Sequence, residues 1–329
     1  LLLQADLEGV TRETAGTGRK RMSTVHRLVD GLSWMRTLLV NVCYVGTDEG
    51  WVLVDAGLKG YASAIVRGAH GLFGSDHPPR AIVLTHAHFD HVGSLKALLA
   101  EWDVPVFAHE LELPYLTGRS SYPAPDPLVG GGAMAWLAKF YPRRPIDLGS
   151  RVQALPSDGS VPFMPGWRWV ATPGHSPGHV SFVRDRDRAV IAGDAVITTR
   201  QESLLAVAAQ RVELHGPPAY YTQNWYAAAQ SVRTVADVAP SLLVAGHGVP
   251  LAGPDLPRSL RDLADRFERD ETPRRGRYVL QPARADESGV VWVPPDPLAR
   301  AMVRGLAPVA AGVAAAVIMR KLFARRETH

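Results

Sequence analysis

Thr85-His86-Ala87-His88-Phe89-Asp90-His91, preceded by the apolar run Ala81-Ile82-Val83-Leu84, is the stretch from which the rest of the chain is read. The apolar run is short and partly β-branched, which predicts a buried strand. Residues 92–99 place their apolar positions at helical spacing, so the histidines fall where a strand end turns into a helix. Open α/β sheets present ligand sites at that end of their strands. Three imidazoles and a carboxylate packed into residues 86–91 are a set of nitrogen and oxygen donors that suits Zn²⁺. His86 and His88 alternate, so in an extended turn they reach the same side and can grip one ion. Asp90 and His91 follow as the chain rolls into the helix and can face a second.

Further segments repeat the logic downstream. Gly174-His175-Ser176-Pro177-Gly178-His179 is a histidine turn, and Ala192-Gly193-Asp194 ends the apolar run Ala189-Val190-Ile191. Gly246-His247-Gly248 ends the run Leu242-Leu243-Val244-Ala245. Taken in order with the first motif, these segments resemble the metallo-β-lactamase fold hydrolases over roughly residues 25 to 255. The resemblance implies an α/β fold, an αββα sandwich of two mixed β-sheets flanked by helices. It implies a metal set of His86, His88, Asp90, His91, His175, Asp194 and His247. One ion is held by His86, His88 and His175, the other by Asp90, His91 and His247, with Asp194 bridging. Asp55, at the end of a predicted strand, is expected to support the site from behind, as is His179.

Bulk properties set limits. A chain of 329 residues can bury a full core, and 46% hydrophobic with 21% charged residues is ordinary for a globular protein. A net charge of +4 makes no case for a nucleic-acid partner. The single cysteine, Cys43, excludes an intramolecular disulfide and a thiolate cluster, and its strand-like surroundings predict a buried, inert thiol. Residues 1–22 lack the basic start and apolar core of a secretory signal and are expected to be a poorly ordered tail, with Met22 a candidate start. A catalytic domain is expected over 23–285 and a cytoplasmic location for it.

Two long stretches interrupt the regular pattern. Residues 113–148 and 198–226 are candidate lids, rich in Pro, Gly and aromatics, and segments of that length are usually functional or disordered. Tyr122, Trp136, Tyr220 and Tyr221 are the candidate pocket residues. Residues 286–329 read as a Pro-rich linker and a basic, apolar C-terminal helix. Fifteen uncharged residues between Arg304 and Arg320 are short of a membrane span, which needs about 20. A peripheral membrane contact, a homo-oligomer contact and packing on the body are the readings for 300–326.

The expected chemistry follows from the ligand set. Two Zn²⁺ ions, with Fe or Mn as substitutes, share a hydroxide that becomes a nucleophile near neutral pH, and Asp90 orients it and takes up its proton. The expected substrate is a small acyl compound with an ester, thioester or lactone bond. Ile197 stands where similar lactonases often carry a tyrosine, three residues after the bridging aspartate. The alternatives on the same fold are a mononuclear iron sulfur dioxygenase and a phosphodiesterase.

Overall fold

Side-chain alternation along the strands sorts the core into layers. In the computed structural model, which describes residues 3–4, 24–48 and 50–297, β4 (Val40–Thr47) sends Val42 and Tyr44 to one side and Cys43 and Val45 to the other. β5 (Gly50–Val54) does the same with Trp51 and Leu53 against Val52 and Val54. Both faces of these strands are therefore apolar, as a sheet covered on both sides requires. The turn at 47–50 makes them an antiparallel hairpin, in register from Cys43–Val54 to Thr47–Gly50.

Among the described residues, the first sheet has seven strands in sequence order: β2 (Val25–Val29), β3 (Leu32–Thr37), β4, β5, β6 (Ala81–Val83), β7 (Val106–Ala108) and β8 (Val152–Ala154). It is antiparallel up to β5 and parallel from there on. The second has six, with β1 (Leu3–Gln4) and β13 (Leu251–Ala252) at one edge. Beyond them lie β12 (Leu242–Ala245), β11 (Ala189–Gly193), β10 (Val180–Arg184) and β9 (Trp167–Ala171). Only β11 and β12 run parallel in this sheet. Both sheets are thus mixed.

Helices cover the two outer faces. α1 (Ala62–Phe73) and α2 (Leu95–Glu101) lay Ile65, Ala69, Leu95 and Leu98 on Tyr44, Trp51 and Leu53. α6 (Trp225–Asp237) and α7 (Leu256–Asp270) lay Val232, Val235, Leu260 and Phe267 on Val190 and Leu243. Between the sheets, Trp34, Cys43 and Val54 meet Phe182, Ile191 and Val244. The result is the four-layered αββα sandwich, with Cys43 buried as expected and burial pushing its thiol upward in pKa.

The chain divides between Val293 and Pro294. Residues 284–292, partly assigned to a linker from the sequence, instead form the hairpin of β14 (Arg284–Asp286) and β15 (Gly289–Trp292) within the first unit. Segment 300–326 and residues 5–22 lie outside the described residues. Among the described residues no helix is long and apolar enough to cross a membrane.

Candidate metal centre

Four turns at the carboxyl ends of β6, β11, β12 and β9 converge on one end of the sandwich. Residues 84–94 leave β6, held by Leu84 N–H donating to Phe107 O and by Val180 N–H donating to Thr85 O across to the second sheet. The turn after β11 and the turn after β12 are tied by Gly246 N–H donating to Gly193 O at 2.7 Å. Asn41, from β4, donates through Nδ2 to Ala245 O and Gly248 O, both at 2.8 Å, clamping the His247 turn to the first sheet.

All seven residues expected as ligands come together there. His86, His88 and His175 form one cluster, and Asp90, His91 and His247 a second. His86, His91 and Asp194 form a third that overlaps both, and within each cluster the ligand atoms lie within 4.8 Å of one another. Asp194 is central. Its Oδ1 lies 3.4 Å from His91 Nε2, while its Oδ2 lies 3.3 Å from His175 Nε2 and 3.1 Å from His247 Nε2.

The donors fit divalent cations on a direct observation. His86 Nε2, His91 Nε2 and Asp194 Oδ1 are buried with no hydrogen-bond partner. Each such orphan costs about 1–3 kcal/mol, so buried polar atoms in native proteins are nearly always satisfied. A cation among them supplies the missing partner. The opposite ring nitrogens are anchored, which aims the lone pairs inward. His91 Nδ1 donates to Asp55 Oδ2 at 2.8 Å, and His247 Nδ1 donates to Leu39 O at 2.9 Å.

Electrostatics divide the rings: at His91 and His247 burial is outweighed by the charge of Asp194 and the pKa is raised, whereas those of His86, His88 and His175 fall. Burial, and then the charge of His91, push His86 well below the ordinary histidine pKa; burial and His175 do the same to His88. Burial brings His175 to about 4. These rings are neutral, the form that binds a metal. Burial opposes ionisation of Asp194, but His247 and His91 outweigh it and hold this carboxyl well below the usual range.

Asp55 and His179 stand behind the donors. Asp55 adopts φ 62°, a left-handed conformation that aspartate tolerates better than most residues. There its Oδ1 accepts from Thr85 N–H, and its Oδ2 from Thr85 Oγ1 and His91, each at 2.8 Å. His179 Nε2 accepts from Asp194 N–H at 2.9 Å, and its Nδ1 donates to Thr172 Oγ1 at 2.8 Å. With both nitrogens engaged, His179 has no lone pair left for a metal.

Sequence reasoning missed Glu112. This fully buried carboxylate accepts from Ser176 Oγ and Gly178 N–H through Oε1, both at 2.8 Å. Through Oε2 it accepts from Ala87 N–H at 3.0 Å and from the Tyr122 hydroxyl. Ala87 lies between His86 and His88, and Ser176 follows His175, so one side chain ties together both turns of the first cluster. An acid in Glu110-Leu111-Glu112 carries no mark that distinguishes it from a surface charge.

A cleft of about 880 Å³ opens beside the centre, with His88, Phe89, Tyr122 and Tyr221 in its wall. The Tyr122 and Tyr221 rings sit 4.3 and 4.7 Å from the His88 ring. Trp136 does not line it. That residue stands 56% exposed with Lys139 Nζ 3.8 Å over its ring. Its helix α4 (Ala133–Leu137) buries Met134 and Ala135 against Tyr220 and Tyr221, and a residue two positions from Met134 faces away. Tyr220 is buried in that same cluster rather than in the cleft wall.

A family model described as the metallo-beta-lactamase superfamily matches residues 35–247. The chain belongs to that superfamily. Among curated relatives, the probable metallo-hydrolase YflN of Bacillus subtilis (strain 168) is 43% identical over 261 residues, covering 78% of this chain and 96% of that protein. A second probable metallo-hydrolase of the same organism, YybB, is 28% identical over 209 residues, 64% of this chain and 80% of the other. Among solved structures, a B3 metallo-beta-lactamase with an active-site glutamic acid aligns with a TM-score of 0.53 at 16% identity. It covers 75% of this chain and 89% of that one, a likeness of fold. Membership of the metallo-beta-lactamase superfamily supports a metal-dependent hydrolase, with divalent cations implied and His/Asp clusters able to hold them.

The candidate metal centre leaves no room behind it. A Cβ at Gly246 would run into Asp194 Oδ1 and lie 2.8 Å from His91 Cε1. Gly246→Ala is therefore expected to displace Asp194 and weaken metal retention by about 10–100-fold, the range seen when a ligand loses its support. Metal content after dialysis, with circular dichroism unchanged, is the check.

His215 lies apart from the three clusters, between Glu271 and Glu213, each 3.2 Å from one ring nitrogen. Burial lowers its pKa, but the hydrogen bond and charge of Glu271, with Glu213, outweigh burial and raise it. A raised folded value stabilises the fold below the unfolded pKa, about 6.5, and that contribution disappears as pH rises through the folded value. The melting-temperature gap between the protein and His215→Gln is expected to be wide at pH below 6.5 and to close on the alkaline side.

Proposed function

We propose that this chain is a binuclear zinc hydrolase that cleaves an ester, thioester or lactone bond of a small acyl substrate. The observation that carries the reading is Asp194, whose two oxygens face His91 on one side and His175 and His247 on the other. A carboxylate so placed between two histidine clusters is suited to sharing two cations. His86, His88 and His175 are the proposed ligands of one, and Asp90, His91 and His247 of the other. Bound there, the cations supply a hydroxide nucleophile near neutral pH and a Lewis acid for the acyl oxygen.

The chain's own residues do the rest. Asp90 Oδ2 lies 3.5 Å from His247 Nε2, at the edge of the second cluster, where it can orient the attacking water and accept its proton. Phe89, Tyr122 and Tyr221 give the cleft an aromatic wall that excludes water from an acyl chain. The relatives YflN and YybB, both named as probable metallo-hydrolases, accord with this reading.

Elemental analysis of protein purified without added metal is the test, followed by ester, thioester, lactone and phosphodiester panels. About two zinc ions per chain with acyl hydrolysis are expected. One iron per chain, or turnover of the phosphodiester alone, would overturn the proposal.

A further inference from the structure

We propose that the cleft beside the metal centre selects acyl substrates bearing a carboxylate or phosphate at the end remote from the scissile bond. This rests on the hydrolase reading above and adds the substrate's charge to it. The rim of the cleft is lined by Lys59, Lys96, Arg143 and Arg144, and no aspartate or glutamate lines it. The chain has 36 basic and 32 acidic residues, so near-parity elsewhere gives way here to a single sign.

These cations arrive from separate segments. Lys59 follows β5, Lys96 belongs to α2, and Arg143 and Arg144 follow α4. None of the four forms an ion pair among the described residues. Arg151, Arg168, Arg186 and Arg266, elsewhere on the surface, each meet an aspartate. The rim charges are thus not neutralised from within. Arg143 and Arg144 line the same cleft as Tyr122 and Tyr221.

Two chemistries share the cleft wall: His88, one of the first cluster, stands in it with Phe89, Tyr122 and Tyr221, and the four cations in the same wall are exposed to solvent. A volume of about 880 Å³ suits a small molecule rather than a polymer. An acyl group beside His88 and the aromatic rings, with an anion among the exposed cations, would use both parts of that wall. Clefts lined by one sign of charge raise capture of the opposite sign, in a way that added salt suppresses.

The test compares mono-p-nitrophenyl glutarate, an anionic ester, with its neutral methyl ester on the metal-loaded protein. The anionic ester is expected to have the higher kcat/KM by about tenfold at low salt. That preference should shrink with ionic strength and collapse in the double variant Arg143→Ala/Arg144→Ala. Equal turnover of the two esters, or a preference that survives the double variant, overturns the proposal. If neither ester is cleaved, the hydrolase reading has failed, and calorimetry decides the charge reading by itself. Glutarate or glycerol 3-phosphate should bind the native protein more tightly than the double variant, and whichever loses more affinity identifies carboxylate or phosphate as the anion. Identical binding of both compounds to both proteins overturns it.

Discussion

Asp194→Ala is expected to leave the fold intact, to prevent retention of two metals and to lower kcat/KM by at least about 10²-fold. That floor is what the loss of mere support for a ligand costs, and Asp194 is proposed as a ligand itself. The carboxylate is 2% exposed and faces three histidines through two oxygens, so truncation removes the only anion common to both proposed cation sites. Its backbone is held independently, by the N–H to His179 and by the β11–β12 pairing that ends beside it, which is why the fold should survive. Asp194→Asn sharpens the test. The amide keeps the shape but turns one oxygen into a donor, facing either His91 or the His175–His247 pair. Metals per chain and turnover are the measurements; unchanged two-metal occupancy with unchanged turnover would remove Asp194 from the centre.

Glu112→Gln is expected to be nearly as damaging, although Glu112 belongs to none of the clusters. Each of its oxygens receives a backbone N–H and a hydroxyl: Gly178 and Ser176 on one, Ala87 and Tyr122 on the other. The hydroxyls can rotate to suit an amide, but a backbone N–H cannot. Whichever way the glutamine amide is turned, its NH₂ meets donor against donor either Gly178 N–H or Ala87 N–H, which then keeps only the Tyr122 hydroxyl at 3.1 Å. A buried donor left without an acceptor costs about 1–3 kcal/mol. The strain falls on the turn that carries His86 and His88 or on the one that carries His175. The expected outcome is a lowered melting temperature together with metal affinity reduced by about 10–100-fold, chiefly at the first cluster. Tyr122→Phe, which removes one donor to Glu112 and the second of two acceptors of Ala87 N–H but leaves Glu112 to accept that N–H, should be milder. Equal losses from the two variants would show that the hydroxyl rather than the carboxylate's backbone ties matters. Competition with a metal indicator dye reads the affinity.

Much of this was legible from residue order. The histidine and aspartate positions follow short apolar runs, and a buried strand that ends in donors is a local pattern, visible within ten residues. The two-sided apolar character of residues 40–45 and 51–54 likewise announces strands covered on both faces. Trp136 misled because an aromatic within a long irregular segment reads as pocket wall, whereas the orientation of one short helix decides which side it faces.

The sequence by itself determined the fold family, the candidate donors and the strand ends that carry them, because each is encoded by neighbours a few residues apart. Only the tertiary structure decided that Glu112 ties the two turns of the first cluster, that Asn41 clamps the His247 turn, and that four cations from separate segments share one rim. Those residues lie tens to hundreds of positions from what they hold. A buried carboxylate and a solvated one have the same letter, and only folding, by removing water and bringing particular N–H groups within 3 Å, makes them different groups.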